Sequence, residues 1–164
     1  LGKQKKYCKI HVNFTNGFVF DYNSWRLGKR IVVKNNRVKW VQTAKPSNSY
    51  RTFWKYLEMV FSYAGSLSLS KELKPVSIND LQIGDVFIKG GSPGHTVIVV
   101  DVAVHQRTGK KIFLLAQSFM PAQEIQILVN PDTTLLGCWY KADFDSFLLT
   151  PEYTFYSDQL MRFQ

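Results

Sequence analysis

Cysteine is scarce. The 164 residues hold two, Cys8 and Cys138, 130 positions apart. One pair is no disulfide framework, and neither residue has the close partners that zinc ligands use, so a disulfide-stapled or cysteine-rich metal fold is excluded. Whether the two pair is left open by the sequence. Long apolar runs are also lacking: nothing approaches the ~20 consecutive apolar residues of a membrane-spanning helix. The chain starts at Leu1 without a hydrophobic leader, which reads as a mature or truncated piece. Acid is nearly missing from the front. Residues 1–55 carry 13 Lys/Arg against Asp21 alone, +12, and the remainder carries 8 against 11, −3, which sum to the net +9. That asymmetry suits an anionic partner, such as nucleic acid or an acidic wall polymer. No nucleic-acid module accompanies it and the cations are dispersed through strands, so a solvated basic face is the plainer reading and nucleic acid is not expected. His11 and His105 lack an i, i+4 partner or a carboxylate cluster, so no metal and no cofactor are expected.

What is present is apolar and aromatic, 45% and 15% of residues, enough for one domain over 1–164 with a real core. Lys9 to Phe14 alternates, Asn16-Gly17 is a hairpin signal, and Phe18, Phe20 and Tyr22 supply the return. Ile31–Lys34 and Val38–Val41 form a second hairpin around Asn35-Asn36. After Pro46-Ser47-Asn48-Ser49 come Tyr50, Phe53, Trp54, Leu57, Val60, Phe61 and Ala64, an amphipathic helix over 50–64 stopped by Gly65. Ser66 to Pro75 reads as a polar connection.

The chain is organised around GDVFIKGGSPGHTVIVVD, 84–101. A Gly84-Asp85 turn leads to a strand, then to a small-residue loop over Gly90–Gly94, then to a strand opened by His95. The run Val97-Ile98-Val99-Val100 predicts burial on both faces. Strands are expected again at 112–117, 124–129, 139–140 and 153–156, with a half-turn from Ser157. The fold class is therefore α+β, an antiparallel or mixed sheet with the helix packed on it through seven apolar side chains.

An imidazole at a strand mouth needs a partner. Asp101 shares its face but lies about 20 Å along the strand. Gln117 returns toward His95 if the two strands pair, and its amide oxygen is suited to accept the Nδ1–H and fix the ring, as a triad's third member does. The helix start offers Ser47, Ser49 and Thr52 where a dipole-activated thiol is the easier nucleophile. A hydroxyl there depends on a base such as His95, and otherwise caps the helix.

A capped helix ending in Ala-Gly, a Gly-Asp turn, Gly-His opening a strand and a polar residue on the next strand resemble the NlpC-type and CHAP cell-wall hydrolases of papain-like fold. That resemblance implies His95 as base, Gln117 as orienter and a nucleophile among Ser49, Thr52 and Phe53, where those families have cysteine. More closely, FTNGF (14–18), SNSYRTFWKYL (47–57), YAGSLSLSKEL (63–73), residues 84–101, KKIFLLAQSFMPAQEI (110–125) and TPEYTF (150–155) are similar to the bacterial domain of unknown function 4846. This resemblance implies an exported protein, periplasmic or lipid-anchored at the cell envelope, with an additional N-terminal segment. The expected function is a catalytically silent papain-like domain that binds cell-wall peptide or glycan, with Gly91, Ser92, Gly94 and Trp54 lining the groove. The alternatives are an active amidase or peptidase with Ser49 or Ser47 as nucleophile, and a polyanion-binding module using the basic front. The sequence leaves the oligomeric state open.

Overall fold

The computed structural model describes residues 7, 10–119, 121, 123–133, 135–144 and 146–163. Cys8 lies outside the described residues; Cys138 is a free, half-buried thiol. The fold is α+β, with antiparallel sheets and few helices. Contacts gather into two compact units, Leu1–Leu69 and Ser70–Gln164.

In the first unit, β1 (His11–Asn13) pairs with β2 (Val19–Asp21) around the Asn16-Gly17 turn. Asp21 then accepts from Ser24 N at 2.7 Å and caps a short helix, α1 (Tyr22–Arg26), where an extended Tyr22 was expected. β3 (Lys29–Lys34) and β4 (Arg37–Gln42) form the second hairpin. Asn35 and Asn36 both have positive φ, 49° and 59°, the conformation a two-residue primed turn demands and asparagine tolerates. At Gly28, φ is +95° and an added Cβ would overlap the Ala44 carbonyl oxygen, so no other residue fits there.

α2 (Tyr50–Tyr63) is capped by Ser49. The expectation that seven apolar residues of this helix are buried on the main sheet is corrected: Tyr56 is buried, while Tyr50 and Phe61 are about three-quarters exposed and Trp54 is 48% exposed. At 100° per residue Phe53, Tyr56 and Val60 share one face, and Tyr50, Trp54 and Phe61 lie roughly a quarter-turn round. The first face packs on an aromatic core of Phe14, Phe20, Tyr22 and Trp25. Tyr56 Oη donates to the Phe20 carbonyl at 2.9 Å and Trp25 Nε1 to the Thr52 carbonyl at 2.9 Å, which pins α2 to β2 and to α1. Ser66–Glu72, expected as a connection, is helical, α3. No described helix is long and apolar enough to cross a membrane.

The second unit is built on a seven-stranded antiparallel sheet. Its strands are β5 (Lys74–Pro75), β6 (Val86–Lys89), β7 (His95–Val104), β8 (Lys111–Gln117), β9 (Gln126–Ile127), β10 (Trp139–Lys141) and β13 (Leu160–Arg162). The order is β10-β8-β7-β6-β13-β5, with β9 against the end of β8. The last strand was not anticipated. It enters the sheet between β6 and β5, and there Arg162 meets Asp85 of the Gly-Asp turn. The Asp85 carboxylate, 1% exposed, accepts from Arg162 Nε at 2.6 Å, from Nη2 at 2.9 Å and from Gln82 N at 2.9 Å. A buried carboxylate is tolerated only when paired in this way. The Asp85 hydrogen bonds hold the guanidinium pKa above its ordinary value.

A hairpin, β11 (Phe147–Leu149) and β12 (Thr154–Tyr156), covers the core. Leu148 and Phe155 insert among Phe87, Val97, Val99, Phe113 and Leu115. Two expectations for β7 are corrected. The run 97–100 is not buried on both faces, since Val97 and Val99 are buried but Ile98 is 37% exposed. A bulge at Val100 also shifts the register between Val99 and Asp101. Val102 therefore takes the core face, and exposed Asp101 turns to the face opposite His95, where its carboxylate accepts from Val102 N.

Candidate functional site

His95 is the first residue of β7, paired with Lys89 at the end of β6. It shares the core face with Val97 and Val99, because alternate residues of a strand face the same side. Ile98 stands opposite Ala116, so Gln117, the last residue of β8, lies beside Val97 and diagonally from His95, within reach of a long side chain. The contact the sequence suggested is made: His95 Nε2 and Gln117 Oε1 are 2.5 Å apart. The ring atom differs from the expectation, Nε2 in place of Nδ1.

Two participants were missed. Gln117 Nε2 donates to Glu152 Oε2 at 2.9 Å, and Tyr153 stacks on the imidazole with centroids 4.3 Å apart and planes 13° apart. Both belong to the tip joining β11 to β12. Thr150, only 2% exposed, shapes that tip: its Oγ donates to the Tyr153 carbonyl at 2.7 Å and accepts from Tyr153 N at 3.2 Å. Phe119 meets the imidazole edge-on at 5.5 Å, and Phe155 lies 6.3 Å from it. The imidazole is thus half-buried in an aromatic setting, with a Gln-Glu relay behind one nitrogen. The sequence signal for the missed pair was thin: an acid and an aromatic in a Thr-Pro turn.

Gly91, Ser92 and Gly94 form the loop before His95. Its Ser92–Pro93 peptide is cis and Gly91 has φ +134°, a conformation side chains disfavour. Ser92 is exposed, and Gly91 and Gly94 are half-buried.

Ser47, Ser49 and Trp54 belong to the first unit, His95 and Gln117 to the second. The hydroxyls of Ser47, Ser49 and Thr52 form a closed ring: Ser47–Ser49 3.1 Å, Ser49–Thr52 3.0 Å and Thr52–Ser47 3.0 Å. Ser49 Oγ also accepts from Thr52 N at 3.3 Å, the satisfaction of an orphan helix N–H that defines an N-cap.

Clefts also lie away from His95. One of about 710 Å³ is lined by Asn130, Asp132, Tyr140, Asp143 and Phe147 among others. Two of its polar groups are already committed: Asn130 donates to the Trp139 carbonyl and Tyr140 to the Val129 carbonyl. Burial raises the Tyr140 pKa far above the ordinary phenol value, so it stays protonated. Asp143 is held below the ordinary carboxylate value by its hydrogen bond from Lys110. Another cleft, about 820 Å³, flanks the β3–β4 tip at Lys34, Arg37 and Lys39. The chemistry singles out His95, where an imidazole, a buried amide and a carboxylate are joined by hydrogen bonds. Among the described residues no three His, Cys, Asp or Glu side chains gather to hold a metal ion.

No curated protein and no solved structure matches the chain. A family model does, over residues 1–162, and it is described as a domain of unknown function. With nearly its whole length matched, the chain belongs to the family Domain of unknown function (4846).

Proposed function

We propose that the His95 site binds cell-wall peptide or glycan, and that the domain is a catalytically silent relative of papain-like wall hydrolases working at the cell envelope. The observation that carries this reading is the His95–Gln117 contact at 2.5 Å. A base and its amide orienter are the two parts of such a site that survive when the nucleophile is lost. The aromatic walls, Tyr153 and Phe119, suit the apolar faces of sugar rings or peptide side chains. Silence is supported by the hydroxyl ring at Ser47, Ser49 and Thr52, whose hydrogen bonds are spent on capping α2. The active alternative takes Ser49 as nucleophile and His95 as base, which requires the hydroxyl to leave that ring.

Calorimetric titration with soluble peptidoglycan fragments tests the reading. Binding is expected to weaken about tenfold or more in His95→Ala, the scale of one lost hydrogen bond with its stacking partner. A serine-directed phosphonate is expected to leave the wild-type protein unlabelled. Labelling at Ser49 that disappears in His95→Ala establishes the enzyme instead. Equal fragment affinity in wild type and His95→Ala removes the site from both.

A specific observation favours a second reading, polyanion binding by the basic front. On the outward face of the β3–β4 hairpin the exposed cross-strand pairs are Val32–Lys39 and Lys34–Arg37. Both rungs carry a cation, roughly 7 Å apart along the strand, while Arg30, one rung further on, is spent on the Trp25 ring and carbonyl. Lys34, Arg37 and Lys39 enter no ion pair with a described residue, so their charges are not neutralised there. Such a ladder suits a linear anionic polymer.

A further inference from the structure

The geometry points to Glu152 as the residue that sets the tautomer of His95, acting through Gln117, so that the neutral ring offers Nδ1 as an acceptor. The ligand group this site takes is then a hydrogen-bond donor: an amide N–H, an ammonium or a hydroxyl. This deepens the His95 reading and rests on it for the ligand, though not for the tautomer.

One chain of hydrogen bonds links Glu152, Gln117 and His95. A carboxylate only accepts, so the Gln117 atom 2.9 Å from Glu152 Oε2 is the amide nitrogen. Gln117 is 3% exposed, and bulk water cannot reorient an amide so enclosed. Its other end, the carbonyl oxygen, therefore faces His95 Nε2 at 2.5 Å. A carbonyl oxygen also only accepts, so Nε2 must carry a hydrogen. A neutral imidazole has one N–H, which leaves Nδ1 with its lone pair. No described residue is hydrogen-bonded to Nδ1, and among the described residues no buried side-chain nitrogen or oxygen lacks a partner, so Nδ1 is reached from solvent. Stacking on Tyr153 fixes the ring plane, and with it the direction of that lone pair. A ligand N–H or O–H meets an acceptor already aimed. A ligand carbonyl meets a second lone pair and gains a bond only if the ring takes up a proton.

Glu152 is exposed at a turn, so substitutions there are compatible with folding, which a dispersed amide spectrum verifies. The experiment is two-bond ¹H–¹⁵N correlation of the His95 ring in the full chain, at a pH where its own titration curve shows it neutral. Wild type is expected to show a pyrrole-type Nε2 and a pyridine-type Nδ1. In Glu152→Lys the ammonium can only donate, so Gln117 turns its oxygen to residue 152 and its NH₂ to the ring. The two nitrogen signatures are then expected to exchange. A pyridine-type Nε2 in wild type, or an unchanged pattern in Glu152→Lys, overturns the assignment. Because the readout needs no ligand, failure to bind wall fragments and failure of the relay are separately visible.

Discussion

Phe155→Ala is expected to lower the stability of the second unit by about 3–5 kcal/mol, the cost of removing a fully enclosed aromatic ring and leaving a cavity. Phe155 is 0% exposed, and its ring lies 6.1 Å from Phe87, 6.2 Å from Tyr153 and 6.3 Å from His95. It is both the deepest insertion of the β11–β12 hairpin into the sheet and the support beneath the site. Urea unfolding checks this, read as a shift of midpoint at constant slope. The comparison is Tyr156→Ala, one residue on and 54% exposed, for which a change within about 0.5 kcal/mol is expected. If Phe155→Ala is as mild as Tyr156→Ala, the hairpin is not packed on the sheet, and the placement of Glu152 and Tyr153 at the site fails with it.

The second large effect lies in the first unit. Phe20 is 0% exposed, with ring centroids of Tyr56 at 4.6 Å, Phe14 at 4.8 Å, Trp40 at 5.3 Å and Trp25 at 5.6 Å. It touches both hairpins, α1 and α2, and its carbonyl holds the Tyr56 hydroxyl. Phe20→Ala is expected to cost about 3–5 kcal/mol, at the upper end because the surrounding rings are rigid and cannot collapse into the gap. Near-ultraviolet circular dichroism should register the change, since two tryptophans and a tyrosine lose their common neighbour. Phe20→Leu keeps part of the volume and should lose less. An Ala variant with native aromatic signal and native stability contradicts the cluster.

Where local chemistry dictates conformation, the sequence could be read. Asn35-Asn36 can take the two positive φ angles a tight hairpin needs, Ser49 can cap, and Gly84-Asp85 turns; each of these lies where its residues required. The His95–Gln117 contact was also within reach, because two strands joined by a short turn must bring their far ends together. What escaped depends on contacts distant in sequence. Arg162 joins the sheet because Asp85, 77 positions earlier, needs a cation, and nothing local to Leu160–Arg162 announces a strand. Glu152 and Tyr153 reach the site because Leu148 and Phe155 bury, and that docking is a property of the sheet they land on. The bulge at Val100, which turned Asp101 away, leaves no mark in an unbroken run of valines and isoleucine. The aromatic residues of α2 read as one apolar face, although their angles divide them into a buried set and an exposed one.

The proposed function makes one ligand site of His95, Gln117, Glu152 and Tyr153. The ¹⁵N-labelled chain, titrated with soluble peptidoglycan fragments while amide and imidazole resonances are followed, puts this to the test. Saturable shifts are expected at these four residues and the Gly91–Gly94 loop, and their loss in His95→Ala. Shifts gathered instead at Lys34, Arg37 and Lys39, with the His95 ring undisturbed, contradict it and give the function to the basic hairpin.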